Sequence, residues 1–118
     1  MFEVRETENK GRGLFATTDI KKGEIIDTAP VVVFDSETTA HFVKVDDGEK
    51  VLAWEKETSG KITSCAVALS VMMLCNHAEN YNATIDRDTE IDLAQLIALK
   101  TICKDEEITL NYTLRKTF

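Results

Sequence analysis

Cys75-Asn76-His77-Ala78-Glu79-Asn80-Tyr81-Asn82-Ala83 follows the apolar run Ala66 to Leu74 and precedes a short segment of strand character. Asn, His and a second Asn in a loop between buried segments set neutral hydrogen-bonding groups beside a core. Once water is excluded, such groups need partners. A ligand can supply them, and so can neighbouring loops. This stretch alone does not choose between the two.

The rest of the composition narrows the choice. A chain of 118 residues suits one domain with a single modest core. One Pro and five Gly argue against low complexity or long disorder. No apolar run is long enough to span a bilayer, and Met1-Phe2-Glu3-Val4-Arg5-Glu6 has no signal-peptide pattern, so an intracellular protein without membrane attachment is expected. Acidic residues outnumber basic ones, 21 to 14, for a net charge of −7. That balance disfavours phosphate neutralisation on nucleic acid and suits a basic protein or peptide, although solubility alone also accounts for it. Cys65, Cys75 and Cys103 are odd in number and widely spaced, as small buried hydrophobes in a reducing compartment would be. Cys75-x-His77 lacks a companion pair for a structural zinc.

Short strands and many turns are predicted along the chain. Phe2-Glu3-Val4 reads as an edge strand, Lys10-Gly11-Arg12-Gly13 as a sharp turn, and Leu14-Phe15-Ala16 as extended. Asp19 to Glu24 is a polar turn with Gly23 available for positive φ. Ile25-Ile26 and Val31 to Phe34 are β-branched strands parted by Pro30. His41 to Val45 and Val51 to Trp54 flank Asp46-Asp47-Gly48-Glu49-Lys50, a hairpin signal, with Trp54 and Phe42 closing the core against it. Cys65 to Leu74 fits a strand, a short helix, or one followed by the other, and Ile91 to Ile102 fits either helix or strand. Asn82 to Ile85 and Ile108 to Tyr112 read as strands. The expectation is a mainly β single domain over 1–118 with little helix.

Three stretches could carry chemistry. At Lys10-Gly11-Arg12-Gly13, two positions without Cβ allow close approach of the main chain, and exposed N–H groups with Lys10 or Arg12 could hold a carboxylate or phosphate. A tight β-turn explains the same residues. Tyr112 ends an alternating segment and could offer its hydroxyl to a positive charge, or be a core aromatic with a satisfied hydroxyl. His77 is a general base by type, but no Ser or Cys nucleophile with an orienting third group accompanies it.

Taken in order, Lys10-Gly-Arg-Gly-Leu-Phe-Ala16, Cys75-Asn-His-Ala-Glu-Asn-Tyr-Asn-Ala83 and Asp105-Glu-Glu-Ile-Thr-Leu-Asn-Tyr112 resemble the motifs of SET-domain protein lysine methyltransferases. Lys21-Lys-Gly-Glu-Ile-Ile26 looks like the turn and strand after the first motif. The size resembles that of the small stand-alone viral and bacterial members. The resemblance implies small curved β-sheets with a C-terminal pseudoknot, and a single domain without the zinc cluster that follows many SET domains is expected. It implies S-adenosylmethionine as cofactor, held by Lys10, Gly11, Arg12, Asn76, His77, Tyr112 and Phe118, with Tyr112 catalytic and no metal. It implies a histone-like basic substrate, a homodimer, and residence in the cytoplasm or, for a viral protein, the host nucleus.

The chemistry explains the residue types that the resemblance implies. A free lysine amine, with a pKa of about 10.4, must lose its proton before it attacks. A narrow apolar channel and a nearby sulfonium both disfavour the ammonium. Alignment of nitrogen, methyl and sulfur is then an orientation effect, to which Tyr112 would add electrostatic stabilisation. This chain departs from the family's common pattern at Ala78, where Ser or Thr is usual, at Tyr81, where Pro often stands, and at Thr113-Leu114, where another aromatic is frequent. Those departures also suit a catalytically inactive SET-fold module that docks a peptide or partner.

Overall fold

The computed structural model describes residues 1–46 and 51–112, with only the backbone described at 45 and 46. Two sheets enclose one core. The smaller contains β1 (Phe2–Glu6), β2 (Arg12–Ala16), β9 (Glu107–Leu110) and β6 (Asn76–His77), in the order β1-β2-β9-β6. The larger contains β4 (Leu52–Lys56), β5 (Ile62–Ala68), β3 (Ile25–Phe34), β8 (Leu93–Ala98) and β7 (Ala83–Asp88), in the order β4-β5-β3-β8-β7. The chain is mainly β, as expected. Trp54, Leu14, Ile20, Leu52, Met72, Leu96, Ile102 and Ile108 are fully buried, and the two sheets meet across them. Each such large side chain contributes roughly 1.5–3 kcal/mol by leaving water.

Alternation explains most strands. Along β8, Ala94, Leu96 and Ala98 are buried while Leu93, Gln95 and Ile97 between them are half-buried on the other face. This period of two resolves Ile91 to Ile102 as strand, against the helix propensity of its Ala, Leu and Gln. Cys65 to Leu74 is a strand followed by a single 3-10 turn, η1 (Val71–Leu74), whose N-cap Ser70 side chain accepts from Met72 N.

Two expectations need correction. Ile25 to Phe34 is one ten-residue strand, not two parted by Pro30. Pro30 is tolerated because β3 changes partner there, pairing β8 through Pro30 and β5 from Val31 onward. Its carbonyl accepts from Leu69 N, just past the end of β5, so the missing N–H faces the side where no ladder continues. His41 to Val45 is not the first arm of a hairpin either. It lies in α1 (Ser36–Asp46), whose N-cap is Asp35: Thr38 N donates to Asp35 Oδ1 at 2.8 Å, and Thr39 N to Asp35 O at 2.9 Å. The Asp-Gly turn itself falls within 47–50, outside the described residues. Trp54 does close the core, whereas Phe42 packs from α1, edge-on to Phe34 at 5.3 Å.

Candidate functional site

The three motifs meet where the small sheet is assembled from distant parts of the chain. β6 pairs in parallel with β9, placing Asn76 beside Thr109 and His77 beside Leu110. β9 pairs on its other side with β2, through Leu14↔Ile108 and Phe15↔Glu107. The last strand is thus inserted between the first hairpin and the central loop. Residues 113–118 lie outside the described residues, so the expected pseudoknot threading beyond Tyr112 and the role expected of Phe118 fall there as well.

Local interactions shape each part. In the turn between β1 and β2, Thr7 N and Thr7 Oγ1 both donate to Gly11 O at 2.7 Å, and Gly11 adopts φ +69°. That left-handed conformation suits glycine. A Cβ on Gly11 would meet no atom within 4 Å, so the turn borders open space. The Asn76–Asn82 loop is presented by η1, anchored through Ser70 Oγ to the Asp27 carboxylate at the β3 bulge. Its far end is clasped by Asn82, which is 4% exposed. Asn82 Oδ1 accepts from Thr109 N at 2.9 Å and Asn82 Nδ2 donates to Glu107 O at 2.8 Å. This buried polar side chain is satisfied by β9, and Asn80 Oδ1 accepts from Lys100 Nζ at 2.8 Å, so neighbouring groups of the protein account for two of the loop's three Asn residues.

The other Asn is held differently. Asn76 Nδ2 donates to Arg12 O at 3.1 Å and to Glu107 Oε2 at 2.8 Å. With its N–H groups so used, Asn76 Oδ1 is left as an acceptor. Lys10 Nζ donates to His77 O at 3.1 Å, and Tyr112 N donates to His77 Nδ1 at 3.0 Å. The His77 and Tyr112 rings lie 5.4 Å apart, and the half-buried Tyr112 hydroxyl donates to Cys75 O at 3.0 Å. Lys10, Gly11, Arg12, Asn76, His77 and Tyr112 therefore form one cluster.

Gly13, one of the two positions without Cβ that the sequence marked for close approach, also belongs to this cluster, as does Glu107, which the sequence did not reveal. A Cβ on Gly13 would stand 2.5 Å from Glu107 Oε2 and 2.9 Å from Asn76 Nδ2. Gly13 is required for the close approach of these side chains to β2. Within Asp105-Glu106-Glu107, an acidic turn, nothing distinguishes the third carboxylate except its position at the head of an alternating strand.

Comparison with known proteins agrees with this architecture. The SET domain family model matches residues 11–113. A curated relative from Schizosaccharomyces pombe, "Histone-lysine N-methyltransferase, H3 lysine-37 specific", is 28% identical over 111 residues, covering 93% of this chain and 71% of its own length. Among solved structures, a Plasmodium falciparum candidate histone methyltransferase superposes with a TM-score of 0.70 at 23% identity, covering 95% of this chain and 96% of that one. The methyltransferase domain of human histone-lysine N-methyltransferase SETMAR gives a TM-score of 0.75 at 21% identity, covering 97% of this chain and 45% of that one. The chain belongs to the SET domain family.

Proposed function

We propose that this protein is an S-adenosylmethionine-dependent protein lysine N-methyltransferase acting on a basic, histone-like protein. The observation that carries the reading is the convergence of Lys10–Arg12, Asn76–His77 and Tyr112 in one cluster built by β2, β6 and β9. Membership of the SET domain family and the activity in the name of the S. pombe relative support it.

The donor set fits the cofactor. Asn76 Oδ1 suits an ammonium, while Lys10 and the open turn at Gly11 suit a carboxylate. When bound, S-adenosylmethionine supplies an electrophilic methyl group. Tyr112 is braced at two points, by its N–H on His77 and its hydroxyl on Cys75 O, which fixes the phenol and directs its oxygen lone pairs away from Cys75. Phenol oxygen and nearby carbonyls attract a substrate amine, and the neutral amine is the nucleophile. The net charge of −7 favours encounter with a Lys-rich partner.

The test combines calorimetric titration with S-adenosylmethionine and methyl transfer to core histones by wild type and Tyr112→Phe. Wild type should bind the cofactor and transfer methyl groups, and Tyr112→Phe should lose turnover while staying folded, with only the small drop in melting temperature that loss of the bond to Cys75 O brings. Unchanged turnover in Tyr112→Phe would falsify the role of Tyr112. Cofactor binding without transfer to any protein would leave the docking module as the better reading.

A further inference from the structure

Among the described residues, the outer face of the large sheet is only partly covered. Helix α1 lies over one end of it, with Phe42 against Phe34 and Thr39 Oγ1 3.3 Å from Cys65 Sγ. Beyond the helix, the outward residues of β3, β5 and β8 continue as an apolar surface. Val32 pairs with Val67 and Pro30 pairs with Leu93. Leu69 hydrogen-bonds through its N–H to Pro30, and Ile91 follows in the turn leading to β8. Leu69 and Ile91 are 62% and 66% exposed, and Val32 is 42% exposed. Pro30, Val32, Val67, Leu69 and Leu93 adjoin one another across three strands, unlike the scattered apolar side chains of an ordinary surface.

One side of this surface is acidic. Asp88 pairs with Leu93 and Asp86 pairs with Gln95, so both carboxylates lie on the same outward face as the apolar rows. Both are exposed, as is Glu90 in the following turn. A face that is apolar in the middle and acidic along one edge is complementary to a segment that is apolar with Lys or Arg along one side. It is poorly complementary to itself, because two copies would each bring a carboxylate edge and a net charge of −7.

We infer that the surface formed by Pro30, Val32, Val67, Leu69 and Leu93, edged by Asp86 and Asp88, docks a basic, partly apolar segment of the protein substrate away from the lysine that is modified. This rests on the reading of the protein as a methyltransferase of basic proteins and adds a second point of contact to it. Binding there raises the local concentration of the target lysine at the Tyr112 site without altering the chemical step.

The experiment uses two variants, Val32→Glu/Leu69→Glu and Asp86→Lys/Asp88→Lys, with refolded H3–H4 and a short H3-tail peptide as probes. Circular dichroism and melting establish that each variant is folded. If the apolar variant fails to fold, the charge variant decides. Each folded variant should weaken H3–H4 binding and raise KM for H3–H4 about fivefold or more, as for loss of an apolar or charged interface contact. Affinity for S-adenosylmethionine, kcat, and KM for the short peptide should stay at wild-type values. Equal H3–H4 binding in wild type and variants overturns the inference. So does a wild-type dimer, seen by light scattering, that Val32→Glu/Leu69→Glu converts to monomer, since the face would then be a self-interface. Absence of methyl transfer by wild type counts against the methyltransferase reading, while the H3–H4 binding comparison still decides the docking surface.

Discussion

The Glu107 carboxylate accepts from Asn76 Nδ2 at 2.8 Å, while the same nitrogen donates to Arg12 O at 3.1 Å. An ionised carboxylate and a carbonyl can only accept, so the Asn76 amide is forced to turn its nitrogen inward and its oxygen outward. Glu107 is a positioning residue for Asn76. Glu107→Gln keeps the shape but replaces a charge-assisted bond with a weaker neutral one and lets the pair of amides flip together. Glu107→Ala leaves an amide proton unpaired, at a cost of about 1–3 kcal/mol. Titration with S-adenosylmethionine should rank affinity wild type, then Gln, then Ala. Wild-type affinity in Glu107→Ala would dismiss the positioning role.

Gly13→Ala should damage the site by a different route. Its Cβ would fall 2.5 Å from Glu107 Oε2 and 2.9 Å from Asn76 Nδ2, so both side-chain ends must shift. Overpacking of this kind costs about 1–3 kcal/mol. Cofactor affinity should fall with stability. Adding Glu107→Ala should recover part of the lost stability, because the clash is with the end of that side chain. A double-mutant cycle measures the recovery, and strict additivity would show that the two positions do not meet.

The cysteines should separate by reactivity. Cys103 is exposed, whereas Cys65 and Cys75 are buried. Burial pushes the Cys65 thiol above its ordinary range, with the Thr39 hydroxyl offsetting this only in part. Since the thiolate is the reactive form, iodoacetamide at mildly alkaline pH should label Cys103 alone in the native protein and all three after denaturation. Mass spectrometry counts the labels. Native labelling of Cys65 would contradict its burial.

Helix α1 should be the acid-sensitive element. Hydrogen bonds from Thr38, its backbone N–H first, hold the Asp35 carboxyl below its ordinary value of 3.8. The folded state therefore binds the proton less readily than the unfolded chain. The contribution of this cap is complete above the unfolded value and is lost as pH falls through the lower folded value. Amide exchange at Thr38 and Thr39 should accelerate over that acid range. Asp35→Asn caps without a charge and should abolish the dependence. The same acid response in both proteins would assign it elsewhere.

Where the sequence was legible, the cause was local. Strand alternation, Gly23 at positive φ, and the motif order all follow from neighbours in the chain. Pro30 misled because its tolerance depends on where β5 stops, a fact set more than thirty residues away. Helix α1 was obscured by β-branched residues beside an Asp-Gly pair, a combination that favours a hairpin locally, while the cap that starts the helix is a single Asp. Six of the seven expected site residues come together, and Phe118 lies outside the described residues. Glu107 stayed hidden because a carboxylate in an acidic turn looks solvated until β9 is placed between β2 and β6.

The insertion of β9 between β2 and β6 also sets an order of events during synthesis. The strand of four residues touches partners more than thirty and more than ninety positions earlier, so its closure entropy falls due only after both partners have been made. A chain still emerging from the ribosome can form the β1–β2 hairpin and much of the large sheet, but Asn76 lacks Glu107 and His77 lacks Tyr112 until residues 107 to 112 have emerged. On the proposed function, cofactor binding reports that the chain has been made through Tyr112, and a product truncated before β9 would hold most of the large sheet with no competence to bind.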